Sequence, residues 1–141
     1  MMCYMKYLLS GLVAFFAFLV YGQKGLETPE SGWKQLTNLK QAEVLLTASS
    51  TKPILIFKHS TACNISAAAK RELEKAKIST DECDAYYLDL LTYRAVSTKI
   101  ETITGVKHES PQVIIWSGGK VIYTASHKQI LGRTIKKELK L

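Results

Sequence analysis

The chain has 141 residues, and 47% of them are hydrophobic, which is enough for one domain that folds around its own core without disulfide staples. Its formal net charge is +7, but lysines alternate with acidic residues along most of the sequence, a pattern that is typical of a solvated surface. This pattern argues against nucleic-acid binding, and we expect no nucleic-acid partner. The three cysteines are spaced neither as a zinc knuckle nor as a dense disulfide framework.

The N-terminus has the profile of a signal peptide. Residues 1–22 contain one basic residue, Lys6, and no acidic residue, and an almost unbroken apolar run extends from Tyr7 to Tyr21. The run is short for a bilayer span, which needs about 20 residues. Small residues stand before Gln23 at the positions that signal-peptide cleavage requires. We therefore predict that residues 1–22 are removed by a cut before Gln23.

Cleavage predicts an exported protein of the periplasm or cell envelope that has lost Cys3. The alternative is an uncleaved membrane anchor with the domain in the cytoplasm, and this segment is then the part of the chain that we expect to contact a membrane. Residues 23–32 are rich in Gly, Glu, Pro and Ser, which predicts a short linker. Residues 33–141 form the predicted domain.

The first half of the domain alternates strands and helices. Trp33–Thr37 has the alternating pattern of a short strand, and Asn38 is a plausible N-cap for a helix that ends near Ser49. Ile54–Phe57 is a continuous β-prone run, typical of a strand buried on both faces. Alanines, glutamates and lysines then predict a helix over Cys63–Lys77. A strand, a tight loop and a helix form the first half of a βαβ unit.

The second half completes the sheet. We predict a strand over Ala85–Leu90 and a helix over Val96–Thr104. A Gly-Gly turn joins two further strands, Gln112–Trp116 and Val121–Ala125, into a hairpin. The last helix is predicted over Lys128–Lys140. The order βαβαβα followed by ββα predicts an α/β fold with a mixed sheet of four or five strands and helices on both faces.

Cys63 is the candidate catalytic residue because it lies between a buried strand and a helix. Open α/β sheets usually place their chemistry at this end of the strands. The positive end of the helix dipole favours the thiolate, which is the reactive form of cysteine. Lys58, Thr61 and Ser66 are near in sequence and are the candidate residues for stabilising the thiolate further. The alternative is that Cys63 is a small apolar residue packed under the helix.

A disulfide between Cys63 and Cys83 is an obvious alternative in an exported protein. The helix that begins at Cys63 is predicted to have about 15 residues and thus to be about 22 Å long. Cys83 lies beyond its far end, whereas a disulfide needs Cα atoms within about 7 Å. We therefore expect Cys83 to be a spectator and the site to contain a single thiol.

Histidines close to Cys63 raise the alternative of a metal site. His59 precedes Cys63 by four residues, and His108 lies in a loop that can face it. The sequence contains no Cys-x-x-Cys pair, however, and a single loop histidine is more often a surface residue than a ligand. We expect no bound metal, and we expect His127 to begin the last helix.

The segment Phe57–Ser66 reads Phe-Lys-His-Ser-Thr-Ala-Cys-Asn-Ile-Ser, and it closely resembles the YtxJ family, the monothiol bacilliredoxins of the bacillithiol system. The resemblance extends from about Trp33 to the end of the chain. Further segments look like positions of this family: Tyr87–Leu90, Arg94, Ser97, Thr104–Val113 and Ala125–His127.

This resemblance implies a thioredoxin-like fold and a reaction. Cys63 would attack a mixed disulfide between a protein and bacillithiol, accept the small thiol and release the repaired protein thiol. No cofactor is implied, and bacillithiol or a similar low-molecular-weight thiol is the co-substrate. Pro111 would be the cis-proline that faces the cysteine, and Ser110, His59 and His108 are the other candidate substrate contacts.

Export separates this chain from the cytosolic members that the family pattern usually describes. Outside the cytosol, the site would handle other mixed disulfides or draw its reductant from a membrane partner. A second class of function is a binding module that keeps the fold without turnover and holds an extended peptide beside Pro111. A metal carrier that uses His59 and Cys63 is the third alternative.

Overall fold

The computed structural model describes residues 32–48 and 51–140, so the predicted signal peptide lies outside the described residues. No helix within these two ranges is long and apolar enough to cross a membrane. Five strands and four α-helices are formed by the described residues. In chain order they are β1 (Lys34–Gln35), α1 (Leu39–Thr47), β2 (Ile54–His59), α2 (Asn64–Ala76), β3 (Asp84–Asp89), α3 (Arg94–Thr104), β4 (Gln112–Ser117), β5 (Lys120–Ser126) and α4 (Gly132–Leu139).

The strands form one mixed sheet in the order β1-β3-β2-β4-β5. β1, β3 and β2 are parallel, whereas β4 is antiparallel to β2, and β5 is antiparallel to β4. β2 is the central strand: Lys58 is opposite Leu88 on one side and Gln112 on the other. The predicted α/β fold is confirmed, and the sheet has five strands.

Two helices cover each face of the sheet. α2 and α4 pack on the face that receives Leu55 and Phe57, and α1 and α3 pack on the face that receives Ile54 and Ile56. Successive side chains of a strand point to opposite faces, so both faces of β2 are apolar and both are covered. This double burial explains the continuous hydrophobic run in the sequence.

Most of the predicted elements are confirmed within two residues at each end. Gly118 and Gly119 form the hairpin turn with φ values of 58° and 77°, which glycine adopts without a steric penalty. Gly105 ends α3 with a φ of 69°, as a C-cap glycine does.

The first strand is shorter than the predicted Trp33–Thr37, since β1 covers Lys34–Gln35. The Gln41 side chain ends it, because Gln41 Oε1 accepts a hydrogen bond from the Thr37 N–H at 3.0 Å. Asn38 Oδ1 accepts from the Gln41 N–H at 2.8 Å, which confirms the predicted N-cap of α1. From Thr37 onward, local bonds from side chains to the backbone therefore replace strand pairing.

The C-terminal region differs from the continuous helix predicted over Lys128–Lys140. The structure has a 3-10 turn at His127–Gln129, and α4 begins only at Gly132. His127 begins this turn, with a φ of 54°, and does not begin the helix. At Gly132 a Cβ atom would lie 2.5 Å from the Glu72 carbonyl oxygen. The missing side chain lets α4 pack directly on the backbone of α2.

Replacement of Gly132 by alanine tests this contact. Alanine in a helix is favoured over glycine by about 1 kcal/mol, whereas an extra carbon in a filled core costs about 1–3 kcal/mol. Gly132→Ala is therefore expected to lower the free energy of unfolding in urea, and Arg133→Ala, at an exposed position of the same helix, is expected to change it little. A Gly132→Ala chain that is more stable than wild type contradicts the close packing.

Candidate active site

Cys63 is the N-cap residue of α2, in extended backbone conformation with φ −120° and ψ 121°. Its N–H donates to the Ser60 carbonyl oxygen at 3.2 Å, and its own carbonyl oxygen accepts from the Ala67 N–H at 3.0 Å. The side chain is half-buried and makes no capping hydrogen bond. The sulfur is thus held where the loop after β2 becomes a helix, as the sequence predicts.

Ser66 holds the loop rather than the sulfur, which corrects its predicted role. Its side chain is fully buried. Ser66 Oγ accepts from the Ser60 N–H at 2.9 Å and shares a hydrogen bond of 2.6 Å with His59 Nδ1. Because Ser60 also accepts from the Cys63 N–H, Ser66 fixes the turn that carries the cysteine. Thr61, the other predicted stabiliser in this loop, is exposed at the turn.

His59 is a buried support of the same turn. Its ring lies between Phe57 and Tyr87, with centroids 5.5 Å from each, and the residue is only 6% exposed. The sequence assigned His59 to substrate contact. The structure instead places it under the loop, where its ring bonds to Ser66 and so links the turn to the core.

Lys58 lies on the opposite face of the sheet from α2, because neighbouring residues of a strand point to opposite sides. It is fully buried, and its Nζ donates to the Ser97 carbonyl oxygen at 3.5 Å. Burial lowers the pKa of Lys58 to about 8, although the negative charge of Glu101 acts in the other direction. The predicted role of Lys58 beside the Cys63 sulfur is therefore wrong, since its ammonium is directed towards α3.

His108 joins this second polar group. Its Nδ1 shares a hydrogen bond of 3.1 Å with Ser97 Oγ. Burial lowers the pKa of His108, and the positive charge of Lys58 lowers it further. His108 thus lies on the α3 side of the sheet, whereas His59 lies on the α2 side. No group of three or more residues suited to metal ligation occurs within 32–48 and 51–140.

Ser110 and Pro111 directly precede β4, at the edge of the sheet where β2 ends. The peptide bond between them is cis. Because β4 runs antiparallel to β2, its first residues and the loop that carries Cys63 share this edge. The Pro111 carbonyl oxygen accepts from the His127 N–H at 3.0 Å, which ties β4 to the turn before α4.

A small cavity lies on the α3 side of this edge and was missed by the sequence prediction. Its volume is about 210 Å³. Polar residues at helical spacing on α3 form one wall, and the signal that could have revealed it is their recurrence every three or four residues. The residues that line the cavity are Leu90, Arg94, Ser97, Thr98, Glu101 and His108.

Comparison with known families decides what kind of protein carries this site. The model of the monothiol bacilliredoxin BrxC matches residues 34–135, well over half of the chain. The chain belongs to this family. The resemblance noted in the sequence is thereby confirmed, and the chain is a thiol-disulfide oxidoreductase with a thiol redox role.

Solved structures agree with the bacilliredoxin assignment. A candidate oxidoreductase with a thioredoxin fold is 30% identical, with 74% of this chain and 91% of that chain covered and a TM-score of 0.65. Thioredoxin from Malassezia sympodialis is 14% identical over 84% and 96% of the two chains, with a TM-score of 0.60. Mitochondrial thioredoxin 3 from Saccharomyces cerevisiae is 16% identical over 77% and 93%, with a TM-score of 0.58. The last two likenesses show the fold alone.

Cys83 is sealed in the core of this bacilliredoxin. It is 0% exposed, and its Sγ lies 3.7 Å from the Ser79 carbonyl oxygen. Burial raises the pKa of the Cys83 thiol to about 11, so the thiolate is scarce at neutral pH. Cys63 and Cys83 are both free, and the described part of the chain presents Cys63 as its single reactive thiol.

The number of reactive thiols tests the difference in reactivity between Cys63 and Cys83. In a Cys3→Ser background, a chromogenic disulfide reagent is expected to react quickly with one thiol of the native protein and with a second only after unfolding. Cys63→Ser should remove the fast reaction, and Cys83→Ser should leave it unchanged. A fast reaction that persists in the Cys63→Ser chain contradicts the assignment.

The lowered pKa of Lys58 predicts a pH-dependent effect on stability. Below pH 8 Lys58 is charged in both states, so the lowering from 10.5 to about 8 costs the folded state up to about 3 kcal/mol. Between pH 8 and pH 10.5 Lys58 is charged only in the unfolded state, and the cost disappears above pH 10.5. Lys58→Met is therefore expected to raise the free energy of unfolding at pH 7, and to raise it less at pH 10.5.

Urea denaturation at the two pH values measures this effect. Lys75→Met, at a position with a largely exposed side chain, is the matched control and is expected to leave stability nearly unchanged at both. If Lys58→Met gives the same stability change at pH 7 and pH 10.5, the buried ammonium is not the source of the cost.

Proposed function

We propose that this protein removes a low-molecular-weight thiol of the bacillithiol type from mixed disulfides on other proteins, through Cys63 alone. One observation carries the proposal: a half-buried, free cysteine caps α2, and the second described cysteine is sealed in the core. A dithiol enzyme resolves its mixed disulfide with a neighbouring cysteine. Here the small thiol stays on Cys63 until another thiol removes it.

The reaction consists of two exchanges. The Cys63 thiolate attacks the sulfur of the small thiol in the mixed disulfide, a new disulfide forms between them, and the protein sulfur leaves as a thiolate that takes up a proton. A second small thiol, as thiolate, then attacks the adduct. It leaves with the first as a symmetric disulfide, and Cys63 returns to the thiolate. The net reaction consumes one free small thiol: that thiol and the mixed disulfide become the protein thiol and the symmetric disulfide.

Protein substrates need a surface on which to dock, and exposed apolar side chains flank the site. Ile65, in the first turn of α2, is 43% exposed, and Leu91, just after β3, is also 43% exposed. Both follow strands that end at the edge where Cys63 lies. Large exposed apolar residues that border a reactive group favour a protein substrate over a free small disulfide.

The proposed compartment is the periplasm or cell envelope, as the N-terminal leader predicts. Free small thiols are scarcer there than in the cytosol. Regeneration would then depend on thiol supplied at the membrane, whereas an uncleaved anchor with the domain in the cytoplasm gives access to the cytosolic pool. Mass spectrometry of the protein from its own cell distinguishes the cleaved, exported form from the anchored form, since export by cleavage predicts a mature N-terminus at Gln23.

A transfer assay tests the chemistry. A model protein is loaded with bacillithiol as a mixed disulfide, and the full chain is added without any other thiol. We expect one bacillithiol to move to Cys63, so that the mass of the tryptic peptide with Cys63 increases by one bacillithiol. Cys63→Ser should reduce the transfer rate to background, because no thiolate remains to attack. Cys83→Ser, the matched control, should keep nearly all of the activity.

Two results would contradict the proposal. If Cys63→Ser leaves the transfer rate intact, a residue other than Cys63 performs the reaction. Absence of transfer by wild type, with equal binding of the loaded protein by wild type and Cys63→Ala, shows a binding module without turnover.

A further inference from the structure

The cavity between α3 and the loop before β4 is built to attract a negative group. Arg94, Ser97 and His108 are among the residues that line it, and the side chains of Arg94 and of the bonded Ser97–His108 pair can donate hydrogen bonds in a suitable protonation state. Glu101 contributes the opposing charge. Arg94 is exposed, so its planar fork is accessible to a carboxylate, with which it forms paired hydrogen bonds.

Lys58 adds a second positive charge beneath the same wall. It contacts Ser97 from below through a hydrogen bond of 3.5 Å, which is long for such a bond. No salt bridge involves Lys58 within residues 32–48 and 51–140, although the side chain is fully buried. A buried ammonium without a close anion is costly. Glu109 also acts on the His108 ring but does not line the cavity. Of the lining residues and Lys58, two positive charges face the Glu101 carboxylate, and a bound carboxylate would offset the cost.

Gln112 lies beside Lys58, and one of its side-chain atoms lacks a hydrogen-bond partner. The two residues are opposite each other on β4 and β2. Gln112 is 2% exposed, and its Nε2 donates to the Lys107 carbonyl oxygen at 2.9 Å. Its Oε1 is buried without a hydrogen-bond partner among the described residues. Since buried polar atoms are normally paired, this second observation also indicates that the polar group under the cavity is incomplete.

The cavity lies at the reactive edge of the sheet. Leu90, which lines it, donates its N–H to the His59 carbonyl oxygen at 3.0 Å, four residues before Cys63. Neighbouring strands are about 4.8 Å apart, so the cavity and the loop that carries Cys63 lie at the carboxyl ends of two neighbouring strands. At about 210 Å³ the cavity is smaller than the roughly 300–1,000 Å³ that hold a whole drug-sized ligand, and it fits one arm of such a molecule.

We propose that this cavity binds a carboxylate of the low-molecular-weight thiol while the sulfur of that thiol is bonded to Cys63. The inference rests on the proposed function and deepens it, because it selects thiols that carry a carboxylate. Arg94 is the main contact, the His108 ring donates through Nε2 while its Nδ1 accepts from the Ser97 hydroxyl, and Lys58 contributes charge from below. Arg94 and Lys58 are specificity-determining residues rather than reacting groups.

Transfer rates for two small thiols test the selection. The full chain takes either bacillithiol, which carries carboxylates, or cysteamine, which carries none, from the same model protein. Arg94→Gln is expected to slow bacillithiol transfer about tenfold, the equivalent of one charge-assisted hydrogen bond, and to change cysteamine transfer less than about twofold. Arg71→Gln, on an exposed position of α2, removes the same charge from the other face of the sheet and should affect neither.

Equal loss with both thiols would overturn the proposal, because it indicates damage to Cys63 or to the fold. An unchanged bacillithiol rate in Arg94→Gln would overturn it as well. Lys58→Met provides a second variant for the buried charge, and it should slow bacillithiol transfer and leave cysteamine transfer intact.

A binding measurement separates this inference from the proposed function. L-malate, a dicarboxylate without sulfur, is added to the full chain with Cys63→Ser, and the NMR signals of the His108 ring are followed. Saturable shifts that Arg94→Gln abolishes support the cavity even if wild type transfers no thiol. The absence of shifts, with bacillithiol transfer intact, leaves the function standing and refutes the carboxylate site.

Discussion

The position of Cys63 depends on strand β2, which pairs with a strand on each side and is buried on both faces. Pairing fixes where β2 ends, and the end of β2 fixes where the loop turns into α2. Because neighbouring residues of a strand point to opposite faces of the sheet, the last two residues of β2 belong to two separate polar groups. His59 on one face supports the turn through Ser66, and Lys58 on the other face lies under the cavity beside α3. The strand β2 thus sets the positions of both the reactive sulfur and the charged cavity.

The fold was largely predictable because its strongest signals are local. Ile54–Phe57 is apolar without interruption, Gly118 and Gly119 mark a hairpin, and Asn38 caps a helix. The errors came from contacts that the hydrophobic pattern of the sequence does not reveal. The shortening of β1 depends on where the Gln41 side chain reaches, and the break before α4 depends on how closely Gly132 approaches a helix far away in the chain.

The site was predictable only in part. Cys63 at the start of a helix follows from its place between a strand and a helix. The directions of its neighbours do not follow, because a shift of one residue along a strand moves a side chain to the other face, and the phase of β2 is set by its packing. Lys58 and His59 were therefore assigned to sulfur and substrate rather than to the α3 side of the sheet and to the turn. Arg94 and Ser97 reach the same edge from another helix, and sequence distance conceals this proximity.

The central claim is that Cys63, at the N-terminus of α2, is the single reactive thiol of the described residues. Its most direct test is the rate of alkylation by iodoacetamide at pH 7, in a chain with Cys3→Ser and Cys83→Ser so that one thiol is followed, compared with the rate of the same chain unfolded in urea. The account predicts that Cys63 reacts faster in the folded chain, because a helix N-terminus favours the thiolate, which is the reactive form. A folded chain that reacts no faster than the unfolded chain would contradict it.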